Sequence, residues 1–205
     1  MRPTPAVTIV ALLLSFVALA ACAPTATGTS GTSGSKTPAG AIAVQKPVPP
    51  ETNPPGDIPD SQAFVRVQTP YLTLRTPEGW SRSTASASTT FTDKLNTIVV
   101  SWAPAAKAPT VASVRAADVP DLKRTTPAFE LGSVKAVDLP AGPAVLAEYR
   151  INSSANPVTG KEYRLDVQRY TLWHKGTRMD LTLLSPVGAD NVDPWRIVSR
   201  SVRWR

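Results

Sequence analysis

Beyond residue 70 the apolar and polar positions mostly alternate with period two, the pattern of half-buried strands. Tyr71-Leu72-Thr73-Leu74-Arg75 alternates and stops at the turn signal Pro77-Glu78-Gly79. Asn96 to Trp102 carries the β-branched run Ile98-Val99-Val100 and breaks at Ala103-Pro104. Phe129 to Leu139, rich in Val and Leu, predicts one arm of a hairpin. Pro140-Ala141-Gly142-Pro143 turns, and Val145, Ala147, Tyr149 and Ile151 return on one face. Residues 153–160, SSANPVTG, predict a second turn region. A long strand follows from Glu162 to about His174, with Tyr163, Leu165 and Val167 on one face. Lys175-Gly176 predicts a tight turn, and Met179 to Leu184 the returning strand.

Two segments read as helical. Thr110 to Ala117 has an N-cap residue in Thr110 and apolar residues three apart at Val111 and Val114, and Pro120 is expected to end it. Asp193-Pro194 opens a second, with Pro in the first turn where its missing N–H does no harm. The chain closes on a short strand with Val202 and Trp204 inward and Arg203 and Arg205 outward. A hairpin-connected, mostly antiparallel sheet with helices packed against it is an α+β architecture.

Composition divides the chain into three parts. Residues 1–21 open with Arg2 and continue in an apolar run from Ala6 to Ala21, the pattern of an export signal and too short to span a bilayer core comfortably. Residues 22–60 are rich in Ala, Thr, Gly and Ser, then in Pro, and hold no aromatic residue. Such a stretch lacks the apolar surface to offset ordering entropy and predicts a disordered tether, flexible first and polyproline-like later. Residues 61–205 hold all five Trp, all four Tyr and three of the four Phe, and read as one globular domain.

Cys22 is the only cysteine, so no intramolecular disulfide can form. Leu19-Ala20-Ala21-Cys22 resembles the bacterial lipobox. The resemblance implies cleavage before Cys22, a diacylglyceryl group on its thiol, and anchorage at the outer face of the cell membrane. Two acyl chains suffice for stable anchoring.

The early YLTLRTPEGW, the central LPAGPAVLAEY hairpin and the closing helix-strand ending in VRW resemble the Mog1/PsbP-like fold, in particular its lipid-anchored actinobacterial members. The resemblance covers about residues 64–205 and implies a central antiparallel sheet with helices against it. It carries over no functional residue, because a fold does not fix a function.

The chemistry-bearing residues are sparse. His174 is the only histidine and sits at a strand end beside Lys175-Gly176, so a Ser-His-Asp constellation would have to use it. No nucleophile elbow, Walker loop, dinucleotide fingerprint or zinc spacing occurs. Asp190, Asn191 and Asp193 read as helix N-terminal acidity. The expectation is a non-enzyme without cofactor or metal.

The domain holds 19 of the 22 Lys and Arg and 12 of the 15 acids, a formal charge of +7, with its densest basic run at Arg196, Arg200, Arg203 and Arg205. In an exported protein that run is either a solvated face or a contact for anionic lipid or wall polymer; nucleic acid is not a partner. Two functions remain open. One is a membrane-anchored envelope lipoprotein that binds or supports another envelope component. The other is a carrier of an apolar or lipid-like ligand between sheet and helix, its pocket lined by Trp80, Trp102 or Trp173.

Overall fold

Ten strands and three short helices form from this pattern in a computed structural model, which describes residues 45–205. The export signal, Cys22 and the tether as far as residue 44 lie outside the described residues. A three-stranded sheet has the order β1–β2–β10, from β1 (Phe64–Gln68), β2 (Leu72–Pro77) and β10 (Arg203–Trp204). A seven-stranded sheet has the order β3–β4–β5–β9–β8–β7–β6. Its strands are β3 (Ser81–Ala85), β4 (Ser88–Asp93), β5 (Asn96–Pro104), β6 (Glu130–Leu139), β7 (Gly142–Asn152), β8 (Arg164–His174) and β9 (Thr177–Pro186). All pairings are antiparallel. The meander β6–β7–β8–β9 returns so that β9 docks on β5, Val100 opposite Leu181.

Period two sends successive side chains to opposite faces, and elements pack on both faces of the large sheet's central strands. On one face Leu146, Tyr170, Leu172, Leu181 and Leu183 meet Leu72 and Leu74 of β2 and Trp195 and Val198 of helix α3 (Val192–Ser201). On the other, Val145, Ala147, Tyr149 and Val167 meet the helical segment that joins β5 to β6. Each fully buried aliphatic chain contributes about 1.5–3 kcal/mol, so both faces hold the fold. The tight turn forms as expected: Lys175 and Gly176 both have positive φ, 44° and 82°, the geometry of a two-residue hairpin that matches strand twist.

The joining helix runs past Pro120, contrary to expectation. It comprises α1 (Val111–Ser113), a π-helical turn (Val114–Asp118) and α2 (Val119–Thr125). Pro120 falls in the first turn of α2, where a proline N–H is not needed. The wider turn before it, closed by Val119 N–H to the Val114 carbonyl, takes up the break in hydrogen bonding that a mid-helix proline imposes. β1, β3 and β4 carry no clear alternation signal in the sequence. Every residue of β3 is exposed, so it forms by pairing with β4 and buries nothing.

Residues 45–60 also differ from the tether expected there. Ile58 is 5% exposed and joins the main core. Asn152 donates to the Lys46 carbonyl at 3.0 Å and accepts from Val48 N–H at 3.1 Å. Asn191 accepts from Ile58 N–H at 2.8 Å and donates to the Gly56 carbonyl at 2.9 Å, and Asn96 donates to the same carbonyl at 2.6 Å. Glu51 pairs with Lys161. Gly56 has φ 138°, and a Cβ there would meet Pro186 Cδ at 3.0 Å, so only glycine lets the segment lie this close. These sixteen residues form a strap on the domain. Low aromatic content hid it, because its attachment is mostly backbone hydrogen bonding to side chains far away in sequence, with Ile58 its one buried apolar anchor.

Candidate functional site

A half-open groove of about 380 Å³ lies where α3 begins to leave the large sheet uncovered. Because Tyr149 and Val167 face α2, their neighbours Glu148, Arg150, Asp166 and Gln168 face the α3 side. There they form polar walls over an apolar floor of Leu183 and Trp195, with Val192, 71% exposed, at the lip.

The walls are ordered by pairing. Arg150 stands directly opposite Asp166, and its Nε donates to Oδ1 at 2.8 Å. Glu148 accepts from the Ser133 hydroxyl at 2.7 Å and from Lys135 Nζ at 2.9 Å. Burial opposes the Glu148 charge, but the Ser133 and Lys135 hydrogen bonds outweigh it and hold the carboxyl below its usual range. A carboxylate kept ionised suits hydrogen-bond acceptance, whereas a proton-transfer group needs a pKa nearer neutrality.

On the opposite face four charged side chains lock the joining helix to the sheet. Asp180 accepts from Arg169 at 2.8 Å, from Thr171 at 2.6 Å and from Arg178 at 3.0 Å. Arg178 continues to Asp118, the last residue of the π-turn, at 2.6 and 3.1 Å. Burial alone would raise the Asp180 pKa, yet the two guanidiniums hold it below the ordinary value. Every charge in this cluster has a partner, which makes it an anchor for the helix.

A second groove, about 310 Å³, lies between α3 and the three-stranded sheet and is lined by Arg66, Arg75, Arg200, Arg203 and Ile197. The basic run, open in the sequence between a solvated face and an anionic contact, is thus divided. Arg200 and Arg203 face this groove, whereas Arg196 pairs with Asp193 at 2.9 Å and Arg205 donates to the Thr69 carbonyl at 3.1 Å. Arg66 and Arg75 are distant in sequence and enter only through β1–β2 pairing, which sets them directly opposite each other.

The three tryptophans expected to line one pocket have separate surroundings. Trp80 packs edge-on against Trp195 at 6.3 Å, Trp102 against Tyr71 at 5.9 Å, and Trp173 donates its indole N–H to the Ala105 carbonyl at 2.7 Å. None of them lines either groove. The layer between sheet and α3, where a carried ligand would sit, is filled by Leu72, Met179, Leu181, Val198 and Val202, each without exposure. Trp195, which the sequence reading passed over, forms the groove floor. Its signal was present: it lies three residues before Val198 on the apolar face of a short helix.

His174 stacks on Trp204, ring centroids 5.2 Å apart. Asp190 N–H donates to the Asp57 carboxylate at 2.9 Å and the Asn191 amide turns to Gly56 and Ile58, so both residues hold the strap. Cys22 lies outside the described residues.

No family model matches the chain, and no curated protein sequence matches it. Solved structures do. The cyanobacterial PsbP (CyanoP) of Synechocystis is 14% identical, with 74% of this chain and 99% of that one covered and a TM-score of 0.53. LpqN of Mycobacterium tuberculosis, involved in cell envelope biogenesis, is 15% identical over 71% and 92% of the chains with a TM-score of 0.45. The Ran-binding protein Mog1p of Saccharomyces cerevisiae is 12% identical over 62% and 79%, TM-score 0.43. The likeness to CyanoP, spanning nearly all of that protein, shows that the described domain has the α+β fold expected from the sequence, of the PsbP kind.

Proposed function

We propose that this chain is a non-catalytic binding module of the cell envelope, held at the outer face of the membrane through a lipid on Cys22. The observation that carries the binding reading is the groove beside α3. It is half open, its floor is apolar, and its polar walls are already paired, as Arg150–Asp166 and Glu148–Lys135. An apolar, aromatic centre with a polar rim is the anatomy of a recognition surface, and Trp and Arg dominate binding energy at such surfaces. An amphipathic segment of another envelope protein fits it, with an aliphatic side chain on Trp195 and polar groups towards Arg150 and Asp166. Anchorage is supported by the short apolar run Ala6–Ala21 ending in Leu19-Ala20-Ala21-Cys22.

The test places a photo-crosslinking residue at Val192 in the full chain in intact cells, with Val158, exposed and outside the groove, as control. A single adduct from Val192, absent from Val158 and lost in Asp166→Arg, is expected. Equal adducts from both positions, or an adduct indifferent to Asp166→Arg, overturn the reading.

A further inference from the structure

Four arginines converge on the groove between α3 and the three-stranded sheet, and none of the four pairs with a carboxylate among the described residues. Two of them oppose each other by register. Arg66 and Arg75 are direct cross-strand partners on the exposed face of β1–β2. Like charges so placed repel, and this pair therefore costs the fold stability rather than adding to it. Arg203 enters from β10, opposite Thr73, and its Nη1 donates to the carbonyls of Arg200 at 2.9 Å and Val202 at 2.7 Å. Those bonds aim one guanidinium before any ligand arrives. Arg200 lies in the last turn of α3. The negative end of the helix dipole offsets roughly half a charge there, which leaves the groove strongly positive.

We infer that this groove binds the phosphate group of an anionic lipid headgroup. Guanidinium forks match phosphate oxygens two at a time, and four of them around about 310 Å³ supply more donors than a single phosphate uses, enough to reach the glycerol side as well. Ile197, 40% exposed on the same wall, offers an apolar contact that a free inorganic anion would not use. The choice of lipid over free phosphate rests in addition on the membrane-anchored reading, since anchoring would hold the groove near an anionic surface.

The test titrates the purified full chain, at one fixed low salt concentration, with three probes: dihexanoyl phosphatidylglycerol, dihexanoyl phosphatidylcholine and inorganic phosphate. Phosphatidylglycerol is expected to bind at least tenfold more tightly than either of the others. The double variants Arg66→Gln/Arg75→Gln and Arg200→Gln/Arg203→Gln should each weaken it at least tenfold, while Arg124→Gln, paired with Asp121 elsewhere, leaves it unchanged. The single variant Arg66→Gln should weaken binding and raise the melting temperature, because it relieves the opposed pair. A merely structural arginine would lower both. Equal affinity for the two lipids, or unchanged binding in the double variants, overturns the inference. Inorganic phosphate binding as tightly as phosphatidylglycerol overturns the lipid source, and it does so whether or not Cys22 is lipidated.

Discussion

The side-chain oxygen of Asn191, on the last residue before α3, accepts the backbone N–H of Ile58, 133 residues earlier, at 2.8 Å. Asn191 also lines the candidate groove, so the strap and the groove share a wall. The strap lines none of the groove itself but holds, through Asn191, one residue of its wall.

Removing the strap should weaken the domain. Ile58→Ala in the full chain is expected to cost about 2–5 kcal/mol, as for other buried Ile truncations. Asn191→Ala leaves the buried Ile58 N–H without its partner, at about 1–3 kcal/mol, while the Gly56 carbonyl keeps its bond from Asn96. A chain beginning at residue 61 should lose both contributions and unfold at clearly lower urea than one beginning at residue 45. Equal midpoints for the two chains would show that the strap adds nothing.

Asp180→Asn should be among the most damaging polar substitutions. It leaves Arg169 and Arg178 facing each other with Asp118 as the only remaining acid of the cluster, and losing one partner of a buried ion pair costs about 3–5 kcal/mol. The pH dependence follows from the lowered carboxyl pKa of Asp180 and of Glu148. The folded state binds these protons less readily than the unfolded chain, whose carboxyls titrate near about 4. The stability they contribute is present above that pH and is lost as pH falls through the folded values. Urea midpoints measured from pH 7 to pH 2.5 should fall on the acid side in the wild type and less steeply in Asp180→Asn.

Trp204 and Arg205 separate packing from charge at adjacent positions. Trp204 is half-buried, stacks on His174 and donates its indole N–H to the Ala141 carbonyl at 2.9 Å. Full burial of a Trp would imply about 3–5 kcal/mol on truncation, and its remaining exposure places Trp204→Ala at the lower end, about 2–3 kcal/mol. Arg205→Ala gives up one partly buried bond to Thr69 and should change stability by about 0.5 kcal/mol. Thermal melts of the two variants, side by side, decide the order.

Cys22→Ser should abolish lipid attachment. The expected outcome is loss of the protein from the membrane fraction, read by fractionation and by the mass of the mature chain. A variant that still fractionates with membranes at the wild-type mass would end the anchored reading.

Local pattern was enough to specify the hairpin core. β7, β8 and β9 are the central hairpin strands and send most of their alternate residues into the core, so alternation, Gly-containing turns and β-branched runs all agree there, and Val145, Ala147 and Tyr149 fell on one face as their spacing required. Composition likewise concentrated the core beyond residue 60, because aromatic residues collect where surface can be buried. Tertiary structure alone decided what depends on partners far apart in the chain. The strap was illegible because buried asparagines hold it through its backbone, and the backbone has no sequence pattern. The helix crossed Pro120 because a π-turn took up the mismatch, which local propensity does not encode. The two grooves arose where strand register set Arg150 opposite Asp166 and Arg66 opposite Arg75. Outward-facing residues obey no burial constraint, so their identities were visible in the sequence while their neighbours were not; only the pairing of strands, fixed by the apolar faces beneath them, decided which charges would meet.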